Sequence, residues 1–197
     1  MTQDGFLQEP KMTDKNDYEK KQERIDFMGT KRVVVEPYNE MWKADFEAIR
    51  DEIDAALGDL ALRIEHVGST SVEGLSAKPI IDIDVVVEES NLAPAIEALD
   101  KICYHHEGDK GIPGREAFHY QGKEHLRNHH LYVCAKDAAE LKRHVSFRDY
   151  LRTHPEAVQE YSRIKKEGAV LFPNDIDGYI EYKTAFIRGI YKELGLE

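Results

Sequence analysis

The chain has 197 residues, of which 41% are hydrophobic and 33% charged, and its formal net charge at pH 7 is −11. The length suits one domain, and no apolar run approaches the roughly 20 residues that a membrane span needs, which excludes an integral membrane protein. The negative charge repels long phosphate backbones, so we expect a small phosphorylated ligand and neither a long nucleic acid nor a membrane as partner.

The first 31 residues differ in composition from the rest of the chain. Residues 1–31 mix Lys, Glu, Asp and Gln with few apolar side chains, which predicts a disordered or loosely helical arm ahead of a domain over residues 32–197. The arm shows no basic start followed by an apolar stretch, and Cys103 and Cys134 are too few for a disulfide framework. We therefore expect a cytoplasmic protein with free thiols.

The first half of the domain alternates strand and helix patterns. Folded structure is predicted to begin with the β-branched run over 33–35. Apolar residues at helical spacing from Trp42 to Leu57 then predict a helix between Asn39 as cap and Gly58 as stop. Strands follow over 62–67 and 79–87, separated by a turn of small residues, Gly68-Ser69-Thr70-Ser71.

The second half of the domain ends in helices. A helix is predicted over 92–102, short strands near 103–106, 117–120 and 130–134, and helices over 137–154, from 155 to about 168, and from about 177 to 194. This order predicts an α/β protein with a mixed (α+β) sheet, covered on one face, and a C-terminal helical cap.

Two aspartates mark the strand over 79–87. Because side chains alternate along a strand, the apolar residues at 81, 83, 85 and 87 share one face, and Asp82 and Asp84 share the other. Adjacent carboxylates repel unless a cation or a basic side chain lies between them. Oxygen ligands at this spacing suit Mg²⁺ or Mn²⁺, and a solvent-facing acidic strand face is the alternative.

The turn before this strand adds a phosphate site. Gly68 allows a phosphate to approach the backbone, and Ser69 supplies a hydroxyl beside the amides of the turn. A phosphate clamp followed by a metal clamp is the combination that metal-assisted phosphoryl transfer requires, so Asp82 and Asp84 are the predicted catalytic residues.

Residues 66–83, HVGSTSVEGLSAKPIIDI, resemble the signature of the GrpB family in the nucleotidyltransferase superfamily. The resemblance continues through residues 128–133 and 147–152 and covers roughly residues 32–194. It implies a nucleotidyltransferase-like fold, a mixed sheet with helices on one side. The residues themselves give the leading hypothesis, a metal-dependent enzyme that binds a nucleoside triphosphate at Gly68 and Ser69 and transfers a nucleotidyl group to a small acceptor that the sequence does not identify.

Members of this superfamily commonly place a third carboxylate on a neighbouring strand, and none is evident here. On the strand over 130–134, Leu131 and Val133 are predicted to face the core, while His130 and Tyr132 share the open face with the aspartates. His130 is therefore a predicted metal ligand, which favours Mn²⁺ or Zn²⁺ over Mg²⁺ at that position. A hydrogen-bonded structural histidine is the alternative.

Four basic residues are predicted to contact phosphate. Lys183 and Arg148 lie on the apolar stripes of their helices, where a cation needs either an internal ion pair or a ligand phosphate. Lys78 and Arg127 flank the predicted site strands and are weaker substrate contacts. With Gly68 and Ser69 they complete the predicted nucleotide site.

Two other function classes remain open at this level. A catalytically silent nucleotide- or metabolite-binding module is favoured by the missing third acid. The other class is a transition-metal-binding or partner-binding protein. Six histidines would form its metal site, although their spacing matches no standard zinc pattern. They are His105, His106, His119, His125, His129 and His130.

Overall fold

The computed structural model of the chain describes residues 32–197, so the predicted arm over residues 1–31 lies outside the described residues. The described part contains five α-helices: α1 (Met41–Leu57), α2 (Leu92–Asp100), α3 (Ala139–Thr153), α4 (Pro155–Leu171) and α5 (Ile176–Glu193). It also contains five strands: β1 (Ala61–Val67), β2 (Ile81–Val87), β3 (Tyr104–His106), β4 (Arg115–Tyr120) and β5 (His129–Ala135).

The strands form one mixed sheet in the order β1-β2-β5-β4-β3. Only the β2–β5 pair is parallel in the described sheet, and the other three pairs are antiparallel. β2 has hydrogen-bonded neighbours on both sides, which suits its almost continuous apolar sequence. The predicted mixed sheet with a C-terminal helical cap is confirmed.

The main core lies between the sheet and the first two helices. The odd-numbered residues of β2 are fully buried on this face, as period-two alternation predicts. They pack against the inner stripe of α1 and against α2, and the α1 stripe is Trp42, Ile49, Ile53 and Leu57. The Met41 N–H donates to Asn39 Oδ1 at 2.9 Å, and Gly58 follows the last turn at φ +48°, so the predicted ends of α1 are confirmed.

The opposite face of the sheet is also partly covered, which corrects the prediction of one covered face. Leu141 of α3 packs against Val86 and Cys134, which lie on the aspartate-bearing side of their strands. Arg148 of α3 reaches β1, where it donates to Glu65 Oε2 at 2.6 Å. The sequence pattern missed this contact because α3 presents only a few apolar residues to the sheet and pairs mainly through charges.

The β-branched run over residues 33–35 lies at the start of the described structure but forms no strand. The next residue, Glu36, makes an isolated bridge with Ala77, with backbone hydrogen bonds of 2.8 and 2.9 Å, and the Val33 N–H donates to Pro173 O at 2.9 Å. The β-branched residues pair with loops instead of a sheet edge, because strand formation depends on an available partner as well as on propensity. The other predicted elements are present with shifts of a few residues at their ends.

The last three helices pack on the loop between β1 and β2. Leu151 of α3, Tyr161 of α4 and Ile190 of α5 enclose Val72 and Leu75 of that loop. This arrangement holds the helical cap against the segment that follows the Gly68-Ser69 turn. No helix within residues 32–197 is both long and apolar enough to cross a bilayer.

Candidate functional site

The turn after β1 rests directly on the first aspartate of β2. Gly68 has φ +66°, and the Ser71 hydroxyl donates to Gly68 O at 2.6 Å to close the turn. A Cβ at residue 68 would overlap the Asp82 carboxylate and approach Asp82 Cβ to 2.8 Å. Glycine therefore serves both the left-handed backbone conformation and the close approach, so the predicted phosphate turn and Asp82 form one unit.

Strand register brings the predicted polar residues onto one face. Asp82 lies opposite His130 and Asp84 lies opposite Tyr132 in the parallel pair of β2 and β5. On the other side of β2, Glu65 of β1 lies opposite Asp84. The shared face of Asp82, Asp84, His130 and Tyr132 is confirmed, and Glu65 is a third carboxylate on that face that the sequence analysis missed.

Asp82 is oriented by a histidine and is partly open to solvent. His130 Nδ1–H donates to Asp82 Oδ1 at 2.8 Å, and 32% of the Asp82 side chain is exposed. Burial raises the pKa of Asp82, but the His130 hydrogen bond and the positive charge of Lys183 outweigh it and hold that pKa below its usual value. Asp82 thus presents an ionised carboxylate in a position fixed by His130.

Asp84 is fully buried and bound to a cationic histidine that the sequence analysis missed. His144 of α3 places Nδ1 2.8 Å from Asp84 Oδ2 and Nε2 3.3 Å from Glu140 Oε1. Burial lowers the pKa of His144, but these two hydrogen bonds raise it to about 10. A histidine with a carboxylate at each nitrogen keeps both protons. The i,i+4 spacing of Glu140 and His144 is the signal that could have indicated this pair.

Two carboxylates on this face, Asp82 and Asp84, are the predicted ligands of one divalent ion. Asp84 Oδ1 is a buried oxygen without a hydrogen-bond partner in the described structure, and Asp82 stands two positions away on the same strand face. Within residues 32–197 no group of three or more His, Cys, Asp or Glu side chains is placed to hold a metal. Mg²⁺ is commonly held by one or two carboxylates completed by ligand phosphates and water, so two aspartates are enough.

A second ion has no donor set here. The extra carboxylate, Glu65, accepts from Arg148 Nη1 at 2.6 Å and from Arg63 Nε at 2.9 Å, so its oxygens are held by guanidinium groups. His130 is engaged with Asp82 as a hydrogen-bond donor. In this arrangement His130 is a hydrogen-bonded structural histidine, which is the alternative that the sequence left open. Coordination of a metal by His130 stays a prediction.

Two predicted lysines lie within electrostatic reach of Asp82. Burial lowers the pKa of Lys183, and Asp82 opposes that effect. Burial and the neighbouring charge of Lys183 lower the pKa of Lys78, again opposed by Asp82. Lys78 and Lys183 therefore lie within electrostatic range of Asp82, the carboxylate on which the Gly68 turn rests.

A third lysine, Lys165 of α4, joins this group without having been predicted. Its residue is 2% exposed, and Nζ lies 4.3 Å from the centre of the Tyr161 ring. The missed signal is the helical spacing of Tyr161, Lys165 and Gly168, which places all three on the buried face of α4.

The two predicted arginines are occupied by ion pairs. Arg148 donates from Nη1 to Glu65 and to His66 O at 3.1 Å, and from Nε to Asp149 at 2.8 Å, which is the internal ion pair left open by the sequence. Arg127 Nε donates to Asp45 Oδ2 of α1 at 2.9 Å. Phosphate contacts by Arg127 and Arg148 stay predictions.

A cleft of about 790 Å³ lies beside the Gly68-Ser69 turn and is lined by residues of α1, of the turn and of the start of α4. His66 lines it, stacked on Phe46 with ring centres 4.6 Å apart. The Thr70 hydroxyl donates to Ile80 O at 3.3 Å, so His66 Nε2–H donates to Thr70 Oγ1 at 3.0 Å. Burial lowers the pKa of His66 to about 4, so a neutral imidazole faces the cleft.

The remaining histidines do not form the alternative metal site. His105 pairs with Asp100 at 2.8 Å, and His129 Nε2 accepts from the Tyr104 hydroxyl at 2.8 Å while its Nδ1–H donates to Arg127 O at 2.7 Å. In the part of the chain that the structure describes, which includes all six histidines of that hypothesis, no three-ligand cluster occurs. The histidine metal-site hypothesis is wrong, because these side chains bond separate carboxylates, carbonyls and hydroxyls.

Comparison with known proteins places this architecture in a family. The family model described as "GrpB protein" matches residues 32–193. This chain belongs to the GrpB family. The glutamate-rich protein GrpB of Alkalihalophilus pseudofirmus is 33% identical over 166 residues, which cover 82% of this chain and 95% of that protein.

A further relative and a solved structure are similar to this chain. The UPF0157 protein YqkA of Bacillus subtilis is 33% identical over 159 residues, 80% of this chain, and the match spans only 46% of YqkA. The crystal structure of the conserved protein GrpB from Enterococcus faecalis aligns with a TM-score of 0.72 and 36% identity, over 81% of this chain and 96% of that one. The GrpB resemblance drawn from residues 66–83 is thereby confirmed.

Proposed function

We propose that this GrpB family chain binds a nucleoside triphosphate at the Gly68-Ser69 turn and transfers its nucleotidyl group to a small acceptor, with one Mg²⁺ or Mn²⁺ held by Asp82 and Asp84. The observation that carries the proposal is the contact of Gly68 with the Asp82 carboxylate. It puts the amides that suit phosphate oxygens beside the carboxylate that suits a cation.

Each group of residues in the site has its own role in the proposed reaction. The backbone amides and hydroxyl of the turn and the amines of Lys78 and Lys183 bind phosphate oxygens. The acceptor hydroxyl oxygen bonds to the α-phosphorus, the bond from that phosphorus to the bridging oxygen breaks, and pyrophosphate leaves. The acceptor proton passes to the Asp82 oxygen that is not bonded to His130. The bound ion supplies polarisation of the reacting phosphate.

The position of the acceptor is proposed from the cleft beside the turn. Thr70 and Ser71 line the cleft and belong to the same turn that contacts Asp82, so a small molecule in the cleft adjoins the phosphates. A volume of about 790 Å³ suits a metabolite and not a long polymer. The proposed partners are therefore a nucleoside triphosphate and a small acceptor.

A catalytically silent binding module is the second candidate. It is favoured by the pairing of Asp84 with His144 and of Glu65 with Arg148, because these pairs leave Asp82 as the ionised carboxylate open to the turn. A silent module would bind the nucleotide with the same amides and amines but would release no pyrophosphate.

Replacement of Asp82 tests the proposed chemistry. We expect Asp82→Asn to lower nucleotidyl transfer by about a hundredfold or more, because the amide keeps the shape and the His130 contact but loses the charge. Triphosphates labelled at the α or the γ position, incubated with Mn²⁺ and a metabolite extract, report transfer of the α label and release of pyrophosphate.

Asp54→Asn on the exposed side of α1 is the matched control and should leave transfer unchanged. Equal transfer by the Asp82→Asn variant and the original chain contradicts the proposal. Nucleotide binding without α-label transfer or pyrophosphate release in the original chain assigns the silent-module function.

Replacement of Lys183 tests nucleotide binding separately. We expect Lys183→Met to weaken triphosphate binding by about tenfold or more, since a charge-assisted contact is lost while the methionine packs along the helix. Isothermal titration measures the Kd, and Lys192→Met on the exposed side of α5 is the control. A lowered Tm with an unchanged Kd would assign Lys183 a structural role.

A further inference from the structure

Lys165 is a buried amine without a hydrogen-bond partner. The residue is 2% exposed, and its Nζ has no acceptor within the described structure. The Tyr161 ring, 4.3 Å from Nζ, offers a cation–π contact, which is weaker than a hydrogen-bonded anion. A buried cation normally has a carboxylate or phosphate partner, because its desolvation is costly. The position of Lys165 therefore indicates a ligand.

The groups around Lys165 belong to the phosphate turn and its lysines. Burial, and then the positive charge of Lys183, hold the pKa of Lys165 well below its ordinary value, and Asp82 opposes both effects. Burial raises the pKa of Tyr161 and the nearby Ser69 side chain opposes that effect, so the helical turn that carries Lys165 lies close to the Gly68-Ser69 turn.

Contacts with the β1–β2 loop hold α4 beside the Gly68-Ser69 turn. The Ser76 N–H donates to Ser162 Oγ at 3.1 Å, and Tyr161 packs with Val72 and Leu75 of the β1–β2 loop. Lys165 lies one helical turn after Tyr161, on the same buried face. Its amine is thus held beside the turn by packing that does not depend on a ligand.

We propose that Lys165, together with Lys183 and Lys78, forms an inner anion site that takes a polyphosphate group. The three amines come from α4, α5 and the β1–β2 loop, and each lies within electrostatic range of one ionised carboxylate, Asp82. A polyphosphate offers several oxygens in different directions and more charge than a carboxylate, so it satisfies amines that approach from three elements. The assignment of that polyphosphate to a nucleotide rests on the proposed function.

Binding of inorganic pyrophosphate in the presence of EDTA tests the site without a metal or a nucleoside. We expect pyrophosphate to raise the Tm of the original chain, and Lys165→Met to weaken its Kd by about tenfold or more. The ligand-free Lys165→Met variant should melt at a higher temperature than the original chain, because the methionine fills the same volume without a buried amine that lacks a hydrogen-bond partner. Lys166→Met, one position further and exposed, is the control and should bind pyrophosphate normally.

Two results overturn the anion site. One is an unchanged pyrophosphate Kd in Lys165→Met, and the other is a Tm response to succinate equal to the response to pyrophosphate. If Lys165→Met does not fold, Lys165→Gln replaces it, because the amide retains hydrogen-bonding groups in the buried position. A pyrophosphate Kd weakened by about tenfold or more in Lys165→Gln supports the site, and an unchanged Kd overturns it.

The anion site and the proposed function fail in different ways. If pyrophosphate binding depends on Lys165 but no α label is transferred, the anion site is supported and the transferase function is contradicted. If the α label is transferred but pyrophosphate binding does not depend on Lys165, the transferase function is supported and the anion site is contradicted.

Discussion

Gly68→Ala should destabilise the protein by about 2–4 kcal/mol, the sum of a strained backbone and an overpacked contact. Gly68 lies at φ +66°, where an L side chain is strained, and its new Cβ would overlap the Asp82 carboxylate. The overlap can be relieved only if the turn moves away from β2, so triphosphate binding should fall as well. Urea unfolding gives the free energy change, and titration gives the Kd.

Gly74→Ala separates the two causes. Gly74 has φ +78°, and a Cβ there would meet no heavy atom within 4 Å, so only the backbone term of about 1–2 kcal/mol remains. Its triphosphate Kd should be unchanged. Equal losses of stability in the two variants, with nucleotide binding intact in both, would show that the contact between residue 68 and Asp82 is unimportant.

His144→Leu should cost about 3–5 kcal/mol of unfolding free energy, because it leaves the Asp84 carboxylate buried without a counter-charge. Asp84 is 0% exposed and its Oδ1 already lacks a partner within the described residues, so water does not replace the lost imidazolium. Urea unfolding near neutral pH measures the loss. Lys136→Met is the control: the Lys136–Glu88 pair has side chains 46% and 43% exposed, and its loss should cost less than about 1 kcal/mol.

The pH dependence of stability supports the same assignment. The pKa of His144 is raised from 6.5 to about 10 in the folded protein, so its contribution is complete below pH 6.5 and is lost as the pH rises through about 10. Over that interval the unfolding free energy of the original chain should fall more steeply than that of His144→Leu. Parallel slopes would show that His144 is not the charged partner of Asp84.

The sequence predicts the part of the site that depends on local periodicity. Alternation along β2 places Asp82 and Asp84 on one face, and alternation along β5 adds His130, because a strand fixes side-chain direction whatever its neighbours are. The small residues after β1 likewise predict the turn, since only glycine tolerates the backbone conformation observed at residue 68.

The remaining site residues depend on how elements pack, which periodicity does not encode. His144 meets Asp84 across 60 positions, and Arg148 meets Glu65 across 83. The apolar stripe of α3 indicates a buried face but does not say that this face lies on the sheet. Lys165 shares the helical spacing of Tyr161 and Gly168, but it is the contact between α4 and the β1–β2 loop that makes this face the buried one.

The separation of the site residues along the chain has a consequence for folding. The contact between Gly68 and Asp82 lies within the antiparallel pair β1 and β2, whereas Asp82 meets His130 across 48 positions through the parallel pair β2 and β5. Closing long loops is slow, so the turn with its aspartate should form early and its histidine partner late. Refolding kinetics followed at His130 should therefore lag behind those followed at the turn, and nucleotide affinity should appear with the slower phase.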